Sequence, residues 1–309
     1  MTAPATELRP AGARGLARPF LRLRVAGYAF FLPFFVVFLI TVVAPLLYAI
    51  YLSFFQDRLI GGTVFAGLAN YTRAVGDALF GAGLLRVALF LVVQVPIMLL
   101  IALGCALAID SGRLRWPSLF RITIFMPYAV PAVVAALMWG YMYGDEFGLV
   151  GQIGDVFGVT LPDLMSRSWM LGSIGNMVTW EYVGYNMIIL YAALRAIPEE
   201  LYEAAEMDGA GAIRIAWSIK LPALRPALLV ATVFSIIGSF QLFNEPNILQ
   251  KLAPSVITTS YTPNMYAYNL AFNGQQINYS AAVAVVLGLV TVVVAYVVQL
   301  ITARREQTL

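Results

Sequence analysis

Six stretches of the chain are long, apolar and almost free of charge, and the segments between them collect charge, proline and amide side chains. A helix needs about 20 apolar residues to cross the hydrocarbon core of a bilayer. Runs of that size cover 25–55, 87–109 and 122–144, then 168–194, then about 222 to 244–248, and finally 281–301. The fourth is interrupted by a single acid, Glu181. The uncharged stretch 252–280 is full of Asn, Gln, Thr, Pro and Tyr and reads as a loop outside the membrane. The pattern predicts an all-α, polytopic membrane protein with six transmembrane helices over residues 25–309. Residues 1–24, rich in Ala, Pro and Arg, read as a disordered basic tail in the cytoplasm. The apolar run after the tail is too long for a signal-peptide core, so the first span is expected to stay as an uncleaved anchor.

Composition narrows what such a protein does. Apolar residues make up 61% of the 309 and charged residues 11%, against about 25% charged in ordinary soluble domains. The net charge of +3 is too small to point to nucleic acid. Histidine is absent and Cys105 is the one cysteine. That leaves no intrachain disulfide, no CxxC metal site and no Ser-His or Cys-His pair. The two lysines, Lys220 and Lys251, do not follow glycine. A Walker A phosphate loop needs Gly-Lys, so ATP hydrolysis by that route is not expected of this chain.

Arginine and lysine set the orientation. With the N-terminus in the cytoplasm, Arg9, Arg14, Arg18, Arg22 and Arg24 lie inside, as do Arg113, Arg115 and Arg121. Arg195, Arg214, Lys220, Arg225, Arg304 and Arg305 join them, leaving Arg58, Arg73, Arg86, Arg167 and Lys251 outside. The positive-inside rule favours this arrangement, which puts both termini and the 195–225 loop in the cytoplasm.

That loop is the most distinctive segment of the chain. It opens Ala196-Ile197-Pro198-Glu199-Glu200, and proline followed by acids starts a helix well. Leu201, Ala204 and Ala205 fall on one face, and Glu199, Glu203 and Glu206 on another. Gly209 suits a C-terminal cap, and a second short helix is expected from about Ala212 to Pro222. Small residues let a partner approach closely while the acids pair with its basic rim. The other reading is a helix lying on the membrane surface. Such helices carry Lys and Arg on the polar face, whereas this one is acidic, so a soluble protein partner is favoured.

The loop is spaced as Glu203-Ala204-Ala205, three residues, Gly209, nine residues, then Ile219-x-Leu221-Pro222. It resembles the cytoplasmic signature loop of ABC importer permeases. Phe65-Ala66-Gly67-Leu68-Ala69-Asn70-Tyr71 resembles the Gly-Leu-x-Asn-Tyr element that follows the first span of sugar permeases. FMPYAVPAVVAALMW at 125–139 resembles their third span, and AIPEELYEAAEMDGA at 196–210 their coupling helix. From about Tyr28 onward the chain is similar to the permease subunit of a binding-protein-dependent type I ABC importer, of the maltose-permease-like sugar uptake kind.

The resemblance implies a coupling helix between the fourth and fifth spans that docks into a cytoplasmic ABC ATPase. The matching positions are Glu203, Ala204, Ala205, Asp208, Gly209, Ile219, Leu221 and Pro222. It also implies a second, homologous permease completing a heterodimeric pore, an extracytoplasmic solute-binding protein and surrounding lipid, with no nucleic acid. The location implied is the plasma (inner) membrane of a bacterium or archaeon. The chain would be a non-catalytic pore subunit that binds no cofactor and no metal. ATP and Mg2+ would be used by the ATPase, whose closure switches the pore from inward- to outward-facing. Many sugar permeases carry Gly-Gly-Pro followed by threonine after the fifth span. Here 249–264 reads LQKLAPSVITTSYTPN, which leaves the identity of the solute open. The outward 246–280 loop is placed to touch the binding protein.

Glu181 is the one acid deep in a span. A charge there costs about 2.5–3.5 kcal/mol on insertion scales, so such a group faces a bundle interior or water. Tyr185 lies one turn along, while Tyr182 and Asn186 form a second polar edge. In the fifth span Ser235, Ser239 and Leu242 share one face, and Gln241, Asn244 and Glu245 another. A pathway along Glu181, Tyr182, Tyr185, Asn186, Ser239, Gln241 and Asn244 would suit a hydroxylated solute, with rings stacking and amides hydrogen-bonding. The equal alternative is that Glu181 holds helices together or meets the sister subunit. Glu245 is placed near the headgroups at the outer end. Pro33, Pro45, Pro96, Pro127 and Pro131 read as ordinary membrane-helix prolines rather than hinges.

The expected function is uptake of a sugar or oligosaccharide, with another polar solute such as a glycerophosphodiester as the alternative. A stand-alone secondary transporter usually shows internal repeats with broken helices, and no repeat relates the two halves. An intramembrane enzyme would need a nucleophile–base pair or metal cluster, which this composition hardly supplies.

Overall fold

The computed structural model describes residues 19–58, 60–144 and 148–306. The chain divides into two compact units, Met1–Tyr51 and Leu52–Leu309. In the first, α1 (Pro19–Phe38) passes through a π-helical turn, Leu39–Val43, into α2 (Ala44–Ser53). Pro45 has no amide proton for the carbonyl four residues earlier, and the wider turn just ahead of it accommodates that loss. Phe31 stacks on Phe35 with ring centres 5.6 Å apart, and Phe34 on Phe38 at 6.1 Å. Helix α1 already includes Pro19–Arg24, the end of the predicted tail. The rest of that tail, residues 1–18, lies outside the described residues.

The second unit opens with an element that the all-α expectation missed. Strands β1 (Phe55–Arg58) and β2 (Gly62–Phe65) form an antiparallel hairpin, with Phe55 opposite Phe65 and Arg58 opposite Gly62. Gly61 and Gly62 take φ of +106° and +71°, a backbone that glycine adopts without a Cβ penalty. Buried Asn70, in α3 (Ala69–Gly76), ties the hairpin down. Its Nδ2 donates to the carbonyls of Ser53 at 2.8 Å and Phe55 at 2.7 Å, and its Oδ1 accepts from Gln56 at 2.9 Å. The asparagine of the Gly-Leu-x-Asn-Tyr element is thus a structural staple.

Helix α4 (Ala78–Asp110) starts ahead of the predicted run at Val87. Asp77 caps it, accepting the amides of Leu79 at 2.9 Å and Phe80 at 3.3 Å. The other carboxylate oxygen of Asp77 accepts hydroxyl protons from Tyr266 at 2.6 Å and Tyr279 at 2.7 Å. Arg86 had marked the start of the second run, yet it lies inside the helix. Its guanidinium donates to the Tyr261 carbonyl and sits 4.3 Å from the centre of the Tyr261 ring.

The third run is not one straight span. Helix α5 (Pro117–Phe125) runs into a 3-10 turn, Met126–Ala129, and then α6 (Ala132–Met142), with a bend of 97° between the halves. Pro131 lacks an amide and crowds the residue before it, so Val130 is extended at ψ 128° and the helix breaks there. These prolines, expected to be ordinary, therefore set the course of the chain.

Helices α7 (Leu149–Phe157) and α8 (Met170–Arg195) follow, then α9 (Glu199–Met207) and α10 (Ala212–Ile215). A π turn, Ala216–Lys220, leads to α11 (Leu221–Ala223), α12 (Arg225–Phe240) and α13 (Asn244–Leu252). The unit ends with α14 (Pro263–Phe272) and α15 (Ile277–Glu306). Helix α14 lies in the stretch read as loop, where Thr262 caps it and Met265, Tyr266 and Leu270 are buried.

Among the described residues four helical stretches are long and apolar enough to cross a bilayer: Phe30–Ser53, Ala78–Asp110, Arg225–Leu252 and Ile277–Thr302. The bent pair is a fifth if it counts as one span. Helix α8 has 26 residues but carries Asn176, Glu181 and Asn186. Inside, Ala102, Ala106 and Ile109 of α4 meet Met187, Leu190 and Leu194 of α8, with Leu224 beneath them. A second cluster around Phe80, Val87, Ile236, Phe240 and Val283 joins α4, α12 and α15. On the outer faces Leu89, Val92, Val93, Leu289, Val292 and Val293 are exposed. A contiguous apolar exterior on helices of this length belongs in lipid, so the chain is a multi-pass membrane protein.

Candidate functional site

Helices α4, α8 and α12 enclose a cavity of about 340 Å3, closed at one side by the turn that holds Tyr128 and at another by Gln241–Glu245. The pattern that places side chains there is helical. Val178, Tyr182, Tyr185 and Asn186 recur three or four residues apart on α8, and so do Phe90, Gln94 and Met98 on α4. Tyr128 stacks on Tyr185 with ring centres 5.0 Å apart and meets Tyr182 edge-on at 5.8 Å. Asn186 donates to the Tyr182 carbonyl at 3.0 Å, and its side-chain oxygen is buried without a partner. Gln94 reaches Thr179 at 3.3 Å, and Ser239 donates to the Ser235 carbonyl at 2.8 Å. The walls thus alternate aromatic faces with amide and hydroxyl groups.

Six of the predicted pathway residues line this cavity: Tyr182, Tyr185, Asn186, Ser239, Gln241 and Asn244. Glu181 does not. It is 4% exposed, set behind the wall, and its Oε2 has no hydrogen-bond partner. Glu245, placed near the headgroups from sequence, is instead 6% exposed and lines the cavity. The reason is the end of α12 at Phe240, which turns the chain inward before α13 begins. Sequence reading missed Gln94 and Tyr128. Gln94 left one signal, an amide in an apolar run, whereas Tyr128 became a wall residue only through the proline break.

The 195–225 segment forms the second candidate surface. Glu203, Ala204, Asp208 and Gly209 are exposed, while Ala205, Ile219, Leu221 and Pro222 are half-buried. Gly209 takes φ +78° and donates its amide to the Glu206 carbonyl at 2.9 Å, closing α9 as its predicted cap. The exposed apolar residues Met207, Ile213 and Trp217, at 89, 78 and 70% exposure, extend that surface. The predicted residues therefore divide into an outward set and a set that anchors the loop.

Comparison with known proteins gives a consistent answer. Residues 98–307 match the family model described as "Binding-protein-dependent transport system inner membrane component". The chain is 30% identical over 276 residues to the "Probable ABC transporter permease protein YurN" of Bacillus subtilis, covering 87% of this chain and 92% of that one. It is 31% identical over 292 residues to the "Lactose transport system permease protein LacF" of Rhizobium radiobacter, covering 92% and 95%. It is also 33% identical over 253 residues to the "Diacetylchitobiose uptake system permease protein NgcF" of Streptomyces coelicolor, covering 77% and 70%. A chain in the crystal structure of a bacterial ABC transporter that imports the acidic polysaccharide alginate shares the fold, with a TM-score of 0.81 at 19% identity, covering 92% of this chain and 97% of that one. On these grounds the chain belongs to the inner-membrane components of binding-protein-dependent transport systems, and is a transporter permease subunit rather than an enzyme.

Proposed function

We propose that the chain is one permease subunit of an ATP-driven importer and forms half of the pore for a sugar or oligosaccharide delivered by an extracytoplasmic binding protein. The observation that carries this reading is the coexistence, in one membrane chain, of an aromatic and amide-lined cavity with an exposed, acidic, glycine-capped helix at the far end of the helices that wall it. Stacked tyrosines and amides suit the apolar faces and hydroxyl rims of sugar rings. The sugar-named relatives, lactose and diacetylchitobiose systems among them, support the same class. In this reading α8 completes a set of six spans, both termini lie in the cytoplasm, and α9 is the coupling helix. Glu203, Ala204, Ala205, Asp208, Gly209, Ile219, Leu221 and Pro222 form and support the surface that docks the ATPase. That separate subunit uses ATP and Mg2+, and a second permease completes the pore. A glycerophosphodiester fits less well, because among the described residues no lysine or arginine lines the cavity and Glu245 does.

The test is an affinity pull-down of the tagged full chain from its native membrane, followed by mass spectrometry and uptake assays with labelled saccharides. Recovery of a soluble P-loop ATPase and a second permease, with uptake lost on deletion of the chain, is the expected result. Recovery of the chain alone, with transport after reconstitution, would overturn the reading in favour of a stand-alone carrier.

A further inference from the structure

At the 195–225 end of the molecule one charged junction joins four elements. Lys220, the last residue of the π turn, pairs with Asp110, the last residue of α4. It is the one ion pair found among the described residues, and it is largely buried, with side-chain exposures of 15% for Lys220 and 6% for Asp110. The Lys220 ammonium also lies 5.0 Å from the centre of the Tyr202 ring, on α9. The Tyr202 hydroxyl is buried without a hydrogen-bond partner and lies within electrostatic reach of both Asp110 and Arg195, the last residue of α8. One turn on from Lys220, whose carbonyl accepts its amide, Leu224 packs into the apolar contact of α4 with α8.

Helices α4 and α8 are the two that supply Gln94, Met98, Tyr182, Tyr185 and Asn186 to the cavity. At 1.5 Å per residue, Asp110 is about 18 Å along α4 from Met98, and Arg195 about 14 Å along α8 from Asn186. Both helices are continuous over that distance. A displacement applied at their ends therefore reaches the walls with little loss, because packed helices move as rigid pieces.

We infer that Lys220 is a positioning residue that fastens the docking loop and α9 to the end of α4, so that movement of α9 is passed to the cavity walls. The inference rests on the importer reading and names its transmission point. The packing of Leu224 keeps the loop near α4. The ion pair and the ring contact give it a fixed lever arm, since a lysine stem held at one end by a carboxylate and over an aromatic face cannot slide freely. Removing the ammonium leaves docking intact and loosens the transfer.

The experiment uses the complex purified through the full chain, in lipid nanodiscs, with Cys105→Ser and Ser235→Cys so that the introduced thiol reports on the cavity. Maleimide reaction at that thiol is timed before and after trapping with ATP and vanadate, and ATP hydrolysis is measured in parallel. With Lys220 present, trapping should change the labelling rate several-fold. With Lys220→Met, the ATPase should remain bound and hydrolyse ATP while trapping changes the rate less than twofold. Lys220→Arg and the paired reversal Asp110→Lys with Lys220→Asp should restore the response. A full trapping response in Lys220→Met would overturn the inference while leaving the importer reading in place. If Lys220→Met does not accumulate, the paired reversal decides: a restored chain with no trapping response overturns the inference as well. Absence of any ATPase from the unmutated preparation would overturn the importer reading itself, and this inference with it.

Discussion

At Gly184, next to the cavity-lining Tyr185 on α8, the backbone of α5 comes close, and this makes a quantitative prediction. A Cβ at that position would fall 2.1 Å from the carbonyl oxygen of Ile124, and 2.7 Å from both the Ile124 carbonyl carbon and Phe125 Cα. Carbon–oxygen contacts settle at about 3.3 Å or more, so α5 and α8 would have to part by about 1 Å. The obstructing atoms are backbone and cannot rotate aside. Overpacking of this kind costs about 1–3 kcal/mol, occasionally more. Since about 1 kcal/mol shifts the unfolding midpoint by about 2–4 °C in a chain of 150–250 residues, Gly184→Ala should lower it by about 2–12 °C in detergent. Tyr128 lies just beyond α5, and its stack on Tyr185 at 5.0 Å would be pulled apart by the same displacement. Uptake should therefore fall by at least tenfold even at temperatures where the variant stays folded. Gly172→Ala, on the same helix, is the control. A Cβ there meets nothing within 4 Å, and the gain in helix propensity is up to about 1 kcal/mol, so it should be neutral or slightly stabilising. A midpoint for Gly184→Ala within 1 °C of the unmutated chain would refute the close approach of α5 and α8.

Burial alone would raise the Asp77 carboxyl, but hydrogen bonds from Tyr266, Tyr279 and the amides of Phe80 and Leu79 outweigh it and hold the group below its usual 3.8. A depressed carboxyl stabilises fully above its unfolded value and loses that contribution as pH falls through the folded one. Thermal midpoints should therefore drop below about pH 4, and Asp77→Asn, which keeps the capping acceptor, should flatten that part of the profile; an unchanged slope would count against the clasp. Gly209→Leu forces a branched side chain into a left-handed position at about 1–2 kcal/mol and covers the exposed end of α9. Uptake should vanish while the chain inserts normally, and wild-type uptake would sink the docking assignment. Glu181 lies behind the cavity wall and not in it, so Glu181→Ala should keep the bound ATPase and reduce uptake less than Tyr185→Ala does; the reverse order would put Glu181 in the pathway.

How much of this architecture could be read from the chain follows from what each signal encodes. Apolar runs report burial in lipid or protein, and they located five long stretches and α8 despite Glu181. They do not report where a helix begins when a charge is satisfied inside it. Arg86 looked like a boundary, yet the Tyr261 ring and carbonyl hold it within α4. Nor do they separate a straight span from a broken one, since Pro127 and Pro131 sit in an uninterrupted apolar stretch and only the neighbouring backbone decides whether the helix continues. The hairpin at Gly61-Gly62 was missed because its strands are four residues each, too short for an alternating pattern to stand out.

The cavity shows the same division within a single site. Spacing along α8 was enough to put Tyr182, Tyr185 and Asn186 on one side of a helix, because that depends only on helical period. Their partners Gln94 and Tyr128 come from other elements, and no periodicity in one sequence states which helices meet. Glu245 was misplaced by the neighbouring problem: the fifth run was taken as continuous, whereas the chain leaves helix at Gln241 and re-enters at Asn244. That short interruption changes the chemistry of the site. It carries one acid from the membrane edge into the wall, sets it near a second buried acid, Glu181, and leaves both without a basic neighbour among the lining residues. On the saccharide-importer reading proposed above, a wall of this kind would favour solutes that bring hydroxyl donors over those that bring negative charge. The alginate importer's chain, alike in fold at 19% identity, therefore lends this protein its scaffold and not its choice of solute.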